Sequence, residues 1–484
     1  MARSRHWTSI AVAVLMSATI PALAGPVGPA GAQAEPDPRP NIVLINADDM
    51  TLAEMAVMDS VNELITARGT TFANMFSVFP LCCPAQASIQ TGQYNHNNGV
   101  LGNGGDQWPV GGYQALDVDN TLSVWLSAAG YQTAFVGKPM VGYNQLDPLV
   151  VPPGWTEWHA VVGGDYSKST MFQDGLKTSY SQYQTDLWTD ISQDVIRRRV
   201  AEDAPLFLWT SFKGPHNAGP MEPDDPPAPR DGTPARADRH KGLFADEPLP
   251  MDPSFDEFDV SDKPSGVTGR PPLDQEKIDY LTVLNRQRLE ALQAVDEGVA
   301  DIIGTLAETG ELDNTLIVFI SDNGFMLGQH RFVGGKGVAY EPSIRVPLVM
   351  RGPGVPVGAT RTHLVGMIDL APTFVEVAQA TAGLTMDGVS LFARPTSRTL
   401  VLEAGPREID GPYYWTGLRN QRYKYVEWGT GEVELYDLRN DPYELVSLHT
   451  DPRYTRILTQ AEAALERLHD CAGAECRTNA VLVG

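Results

Sequence analysis

What most constrains this chain is a set of unbroken apolar runs, each ending in residues that carry chemistry. Asn41-Ile42-Val43-Leu44-Ile45-Asn46-Ala47 runs into Asp48-Asp49, Pro205–Phe212 leads to Pro215-His216, and Leu316–Ser321 delivers Asp322-Asn323-Gly324. A fourth run, Tyr131–Val136, reaches Gly137-Lys138. Runs of this length without polar alternation read as strands buried on both faces, the habit of a parallel sheet covered by helices. Helical patterns separate them: Leu52–Ala67 before Gly69, Asn120–Ala129 before Gly130, one opened by Tyr183–Asp186, and a long one over Gln275–Thr309 stopped by Gly310. The alternation predicts an α/β fold, a mostly parallel central sheet flanked by helices. Ligand sites of such sheets collect at the carboxyl ends of the strands, where all four polar clusters fall.

Two adjacent carboxylates at the end of a buried strand repel each other and lose hydration unless a cation compensates. Asp48, Asp49, Asp322 and Asn323 together offer only oxygen, which favours Ca²⁺ or Mg²⁺ over zinc. The plainer alternative for the aspartates is an exposed acidic turn or a helix cap.

Leu81-Cys82-Cys83-Pro84-Ala85-Gln86-Ala87-Ser88-Ile89-Gln90-Thr91-Gly92 is unusual for packing alone. Proline suits the first turn of a helix, which places Cys82 at a helix N-terminus, where free N–H groups and the macrodipole favour an anion. Cys82 then reads as a nucleophile aimed at an anionic ester, or else as half of a buried structural cysteine pair. His216, after a proline at a strand end, is a candidate general acid. A lysine past a strand end, such as Lys138, is either surface decoration or an anion contact.

The 484 residues carry a formal charge of −24, which argues against nucleic acid or an anionic membrane as partner. A site for an anionic ester must therefore supply its own positive charge. At the N-terminus, Arg3 and Arg5 precede an apolar run, Ile10–Ile20, and small residues follow at Ala22-Leu23-Ala24 and again at Ala32-Gln33-Ala34. We read residues 1–34 as a signal peptide, too short for a membrane span, so that the mature chain is secreted without membrane insertion. Of the four cysteines, Cys471 and Cys476 are expected to pair after export, leaving Cys82 and Cys83 over.

Residues 35–404 are expected to form the catalytic domain, with a Pro-, Asp- and Gly-rich excursion over 217–274 running on the surface at the mouth of the site. Residues 405–484 read as a C-terminal subdomain. Strands Tyr423–Trp428 and Val433–Leu438 flank a Gly429-Thr430-Gly431 turn, and a helix over Tyr454–His469 carries Leu458, Ala461, Leu465 and Leu468 on one face. This predicts a small antiparallel sheet plus helix.

The cysteine segment resembles the sulfatase family, whose motif is C-x-P-S-R followed by A-x-(x)-x-T-G, on an alkaline-phosphatase-like fold. The block Ser321–Pro347, S-D-N-G-F-M-L-G-Q-H-R-F-V-G-G-K-G-V-A-Y-E-P-S-I-R-V-P, is similar to the family's S-D-N-G-x-x-L-G-x-H-R-x-x-x-G-K-x-x-x-Y-E-x-S-I-R-V-P. Pro152-Pro153-Gly154-Trp155-Thr156-Glu157-Trp158 resembles the glucosamine-6-sulfatase and extracellular endosulfatase branch. Its tryptophans are either core or a sugar-stacking wall. The resemblance implies a sulfuric ester hydrolase acting on a sulfated small molecule or carbohydrate. It makes Asp48, Asp49, Asp322 and Asn323 metal ligands, Lys138 and Lys336 sulfate contacts, His216 the general acid, and His330 a further pocket residue.

It also implies that Cys82 is oxidised to formylglycine by a formylglycine-generating enzyme. One hydroxyl of the hydrate then attacks sulfur, and the other re-forms the aldehyde to expel sulfate. The chain departs from the pattern at Ala85, at Gln86, where arginine is usual, and at Val141, where the branch has asparagine. Two alternatives follow from Gln86: a related phosphate or phosphonate ester hydrolase using unmodified Cys82 or metal-bound water, and a catalytically silent binding protein on the same scaffold.

Overall fold

A computed structural model describes residues 37–199, 202, 204–217, 222–226, 232–393, 397–408, 411–480 and 482. The expected signal peptide lies outside the described residues. In chain order the strands are β1 Asn41–Ala47, β2 Thr70–Phe72, β3 Met75–Phe76, β4 Gln132–Gly137, β5 Glu157–Gly164, β6 Ser169–Gln173, β7 Leu176–Tyr180, β8 Leu206–Ser211 and β9 Thr315–Ser321. They continue with β10 Arg345–Val346, β11 Leu348–Arg351, β12 Ala359–Arg361, β13 Val365–Gly366, β14 Leu400–Pro406, β15 Tyr413–Arg419, β16 Tyr423–Trp428 and β17 Val433–Asp437.

Ten strands form one sheet in the order β12-β2-β11-β9-β1-β8-β4-β5-β6-β7. Its centre, β9-β1-β8-β4-β5, is parallel throughout, and the antiparallel pairs lie toward the edges. The fold is thus the expected α/β arrangement. Side chains of β1 alternate between two cores: Ile42 and Leu44 join one, Val43 and Ile45 the other, and all four are fully buried. Burial of each such side chain contributes about 1.5–3 kcal/mol. A charged residue at Val43 or at Ile317 in β9 would break the layer it faces.

The helix expected over 52–67 is instead three pieces: a 3-10 turn Ala53–Val57, a helix Asp59–Leu64 and a second 3-10 turn Thr66–Arg68. The break has a local cause. Thr51 and Glu54 cap each other, the Thr51 N–H donating to Glu54 Oε2 at 2.7 Å. The Asp296 carboxylate, from the long helix Gln275–Glu308, then accepts the Ser60 and Val61 N–H groups at 2.8 and 2.9 Å and starts a new helix. The helix expected from Asn120 is shorter, Leu122–Ala128.

The C-terminal sheet has four strands, β14-β15-β16-β17, all antiparallel. Its first strand, Leu400–Pro406, begins ahead of the boundary placed at 405. In the helix Thr455–Leu468, Ile457 takes the buried place assigned to Leu458, which is only partly covered. Cys471 and Cys476 are disulfide-bonded, and Cys82 and Cys83 are free. Within the 217–274 excursion the described residues include buried anchors: Arg236 pairs with Glu222, Asp224 and Glu290, and Lys263 with Glu257. No helix among the described residues is long and apolar enough to cross a membrane.

Candidate active site

Sheet register assembles the site. Ala47 of β1 pairs with Ser321 of β9, so Asp48-Asp49 and Asp322-Asn323 leave the sheet side by side. Asn46 and Gly137 both pair with Ser211 of β8, which brings Lys138 and the 212–216 segment to the same edge. Gly137 is required there: it has φ +123°, and a Cβ would lie 2.2 Å from the Ser211 carbonyl oxygen.

Cys82 is the first residue of the helix Cys82–Thr91, which ends at Gly92 in the left-handed region (φ 68°), as the sequence predicts. Its Sγ lies 2.9 Å from Lys336 Nζ, 3.6 Å from Lys138 Nζ and 3.4 Å from Asp48 Oδ1. The ammonium of Lys138 donates to Asp48, and that of Lys336 to Asp49. Asp48, Asp49, Cys82 and His216 each present a ligand atom within 4.8 Å of the others. Asn323 Nδ2 donates to Asp49 Oδ1 at 2.7 Å, and the Asp49 N–H to Asp322 Oδ1 at 3.1 Å.

The electrostatics are those of charges removed from water. Burial pushes the Asp322 carboxyl well above the usual range, and neighbouring Asp48 adds to the effect. Burial also opposes ionisation of Asp48, but Lys138, His216 and Lys336 together hold it far below. The Cys82 thiol is pushed well up, by burial first and Asp48 second. Burial, reinforced by Lys138, lowers His216 to about 4. His216 Nδ1 bonds to the Asn217 carbonyl, which leaves Nε2 facing Asp49 Oδ2 at 3.8 Å.

The donor set fits a hard divalent cation. Asp322 Oδ2 and Asn323 Oδ1 are both buried, and neither has a hydrogen-bond partner among the described residues. Orphaned oxygens beside two aspartates are what oxygen-seeking cations require.

One expected pocket residue is elsewhere. His330 is fully buried, bonds to Glu257 Oε2 at 2.6 Å through Nδ1 and stacks on Tyr340 at 4.0 Å. Its described contacts include none with Cys82, the aspartates or the two lysines; it belongs to the packing between the excursion and the C-terminal sheet. Trp155 and Trp158 are core, packed with Phe135, Trp209 and Phe207. Cys83 Sγ accepts the Val141 N–H at 3.1 Å, and its thiol is pushed to about 12 by burial. Val141 itself is 41% exposed. Gln86 lines a small pocket of about 20 Å³ with Gln90, Met140, Phe135, Trp155 and Trp209.

Three residues near the site have no sequence signal. Arg288, fully buried in mid-helix, pairs with Glu54 and donates to the Asp49 carbonyl at 2.6 Å. Lys213, lowered to about 8 by burial and Lys138, stands over the Tyr166 ring at 4.7 Å. Tyr166 comes from the turn between β5 and β6.

Fold and site define a hydrolase of anionic esters on a doubly covered α/β sheet. The Sulfatase family profile matches residues 40–380, and the chain belongs to the sulfatase family. It is 32% identical to an arylsulfatase of Volvox carteri over 90% of this chain and 76% of that protein. It is 29% identical to human N-acetylglucosamine-6-sulfatase over 92% of this chain and 87% of that protein. A putative extracellular sulfatase Sulf-1 homolog of Caenorhabditis elegans is 32% identical over 74% of this chain; the chain spans about half of that relative's length (49%). Among solved structures, a complex with its substrate D-glucosamine-2-N,6-O-disulfate superposes with a TM-score of 0.73 at 23% identity, covering 88% of this chain and 97% of the other. A phosphonate monoester hydrolase of Agrobacterium radiobacter gives 0.63 at 22% identity, over 90% and 96%. At these identities the likeness is one of fold.

Proposed function

We propose that the protein is an exported sulfatase that removes sulfate from a sulfated carbohydrate of the glucosamine-6-sulfate type, with position 82 acting as formylglycine. One observation carries the reading: Cys82 stands at a helix N-terminus within reach of two lysine ammonium groups and an aspartate. The names of the glucosamine-6-sulfatase and extracellular relatives support the substrate class and the export.

Asp48, Asp49, Asp322 and Asn323 would hold the divalent cation, Ca²⁺ or Mg²⁺. When bound, the cation supplies Lewis-acid stabilisation of charge on the sulfuryl oxygens, and formylglycine supplies the nucleophile. Lys138 and Lys336 bind and orient the sulfate and neutralise its remaining oxygens, which reconciles an acidic protein with an anionic substrate. His216, its Nδ1–H given to the Asn217 carbonyl, would carry a second proton on Nε2 as an imidazolium, and passes that proton to the leaving oxygen as the S–O bond breaks, making the free alcohol. Burial holds this imidazole down first and Lys138 second; the anionic ester beside Lys138 offsets the second of these. A thiol as buried as Cys82 is a poor nucleophile in its unmodified form.

Gln86 bears on conversion. Among the described residues, those lining this pocket include no acid, so an arginine at position 86 would find no carboxylate partner there.

The test is the mass of the Cys82 peptide from protein made in its native host, alongside turnover of nitrophenyl sulfate, nitrophenyl phosphate and glucosamine 6-sulfate. Formylglycine with sulfate-ester turnover is expected. Unmodified cysteine with phosphate-ester turnover would overturn the assignment. So would calcium-dependent stability with no turnover of any ester.

A further inference from the structure

The backbone that carries His216 is held at four consecutive carbonyls. Lys213 O accepts the His216 N–H at 2.8 Å, and Gly214 O accepts the Asp48 N–H at 3.2 Å. Pro215 O lies 3.4 Å from Arg288 Nη1. The Tyr166 hydroxyl reaches both His216 O, at 2.7 Å, and Lys213 O, at 3.1 Å. Tyr166 is fully buried, and a buried phenol has to place its hydroxyl proton on an acceptor. Here both acceptors belong to this one loop. The phenol is also fixed from behind. Its ring stacks on Tyr183 at 6.1 Å, its own carbonyl accepts the Gln184 N–H at 2.7 Å, and Lys213 Nζ covers its face. Tyr183 in turn donates to the Ala235 carbonyl at 3.0 Å, in the long excursion.

We propose that Tyr166 is a positioning residue for His216: its hydroxyl bridges the carbonyls on either side of Gly214-Pro215 and so fixes where imidazole Nε2 points. This rests on His216 being the acid of the reaction proposed above. The turn at the end of β5, at the same carboxyl edge of the sheet, thereby reaches into the chemistry. Removing the hydroxyl leaves His216 O without its described partner while keeping the ring, its stack and its lysine. Displacement of a catalytic group by about 1 Å is enough to cost about 100-fold in rate.

Tyr166→Phe isolates that hydroxyl. An acid matters for a poor leaving group and little for a good one, so an alkyl sulfate and nitrophenyl sulfate separate the two roles. The expected result is a fall of about 10- to 100-fold in kcat on glucosamine 6-sulfate, with KM held, and less than about 3-fold change on nitrophenyl sulfate. Combined with His216→Ala, Tyr166→Phe is expected to add nothing further. Equal losses on both esters, or losses that multiply in the double variant, would overturn the proposal.

A second readout needs no turnover. The His216 ring resonance, assigned by its loss in His216→Ala, should move in Tyr166→Phe while those of His96 and His330 stay in place. An unmoved His216 signal refutes the positioning role. A wild-type protein that hydrolyses neither ester refutes the sulfatase reading, and the resonance still decides the role of Tyr166.

Discussion

Replacing Arg288 with methionine should destabilise the protein far more than an ordinary helix substitution. The guanidinium has no exposure and sits in mid-helix, where it makes two bonds to the Glu54 carboxylate, at 2.7 and 2.9 Å. It also donates to the Asp49 carbonyl and lies 4.5 Å from the Phe325 ring centroid. Methionine matches the aliphatic length but leaves Glu54, itself 3% exposed, as an uncompensated buried carboxylate. Breaking a buried pair in this way costs about 3–5 kcal/mol. That is below the total stability of a typical domain, about 5–15 kcal/mol, so the variant should still fold. Replacing both members removes the stranded charge. Glu54→Met with Arg288→Met should therefore recover to within about 2 kcal/mol of the wild type, the remainder being the lost donor to Asp49 O and the Thr51–Glu54 cap. Urea unfolding followed by tryptophan fluorescence, run as a double-variant cycle, measures the coupling. A single-variant loss under about 1 kcal/mol, or a double variant worse than the single, would show that the pair does not hold the 3-10 turn Ala53–Val57 and the long helix together.

Three further outcomes are expected. Ca²⁺ should raise the unfolding free energy by about 2.7 kcal/mol at 100 times its dissociation constant, and the melting temperature with it; Asp322→Asn should blunt the rise, and identical melts with Ca²⁺ and with chelator would remove the metal from the site. His96 is lowered by burial but raised more by Glu403 and the Cys471 carbonyl, to about 9 against an ordinary 6.5. Its contribution should be full below pH 6.5 and lost as pH rises through about 9, so the stability gap between wild type and His96→Gln should shrink over that window, and a pH-independent gap refutes the pairing. Cutting the Cys471–Cys476 loop with paired serines should cost about 2 kcal/mol by chain entropy, read as a lowered urea midpoint; no change would mean that the tail is held by its other contacts alone.

Much of the architecture was legible because the central strands are apolar on both faces. A doubly covered parallel sheet accommodates Ile42 to Ile45 on both faces, and parallel strands bring the polar residues after each run to one edge. What the sequence could not convey is competition from distant residues. The helical pattern over 52–67 is locally consistent, but Asp296, more than two hundred residues on, captures the N–H groups of Ser60 and Val61 and resets the helix. His330 shows the reverse error. It lies in a motif-rich block, yet φ 49° at His330 and 62° at Arg331 turn the chain there, and Glu257 takes the imidazole. Tyr166 and Arg288 carried no signal at all, since an edge turn and a mid-helix arginine look like solvent-exposed positions until tertiary packing covers them.

The helix that begins at Cys82 has a consequence for how the protein is made. All of its residues but Gln90 are buried, and the Cys82 side chain itself is 2% exposed. With Cys82 and its helix packed into the core, that sulfur offers no surface on which a second protein could seat. Any chemistry done to Cys82 by another catalyst is therefore confined to the interval between synthesis and folding. If position 82 is converted as proposed above, a chain that folds first is beyond later repair. Two preparations of equal purity can then differ in specific activity purely through the kinetics of their biogenesis.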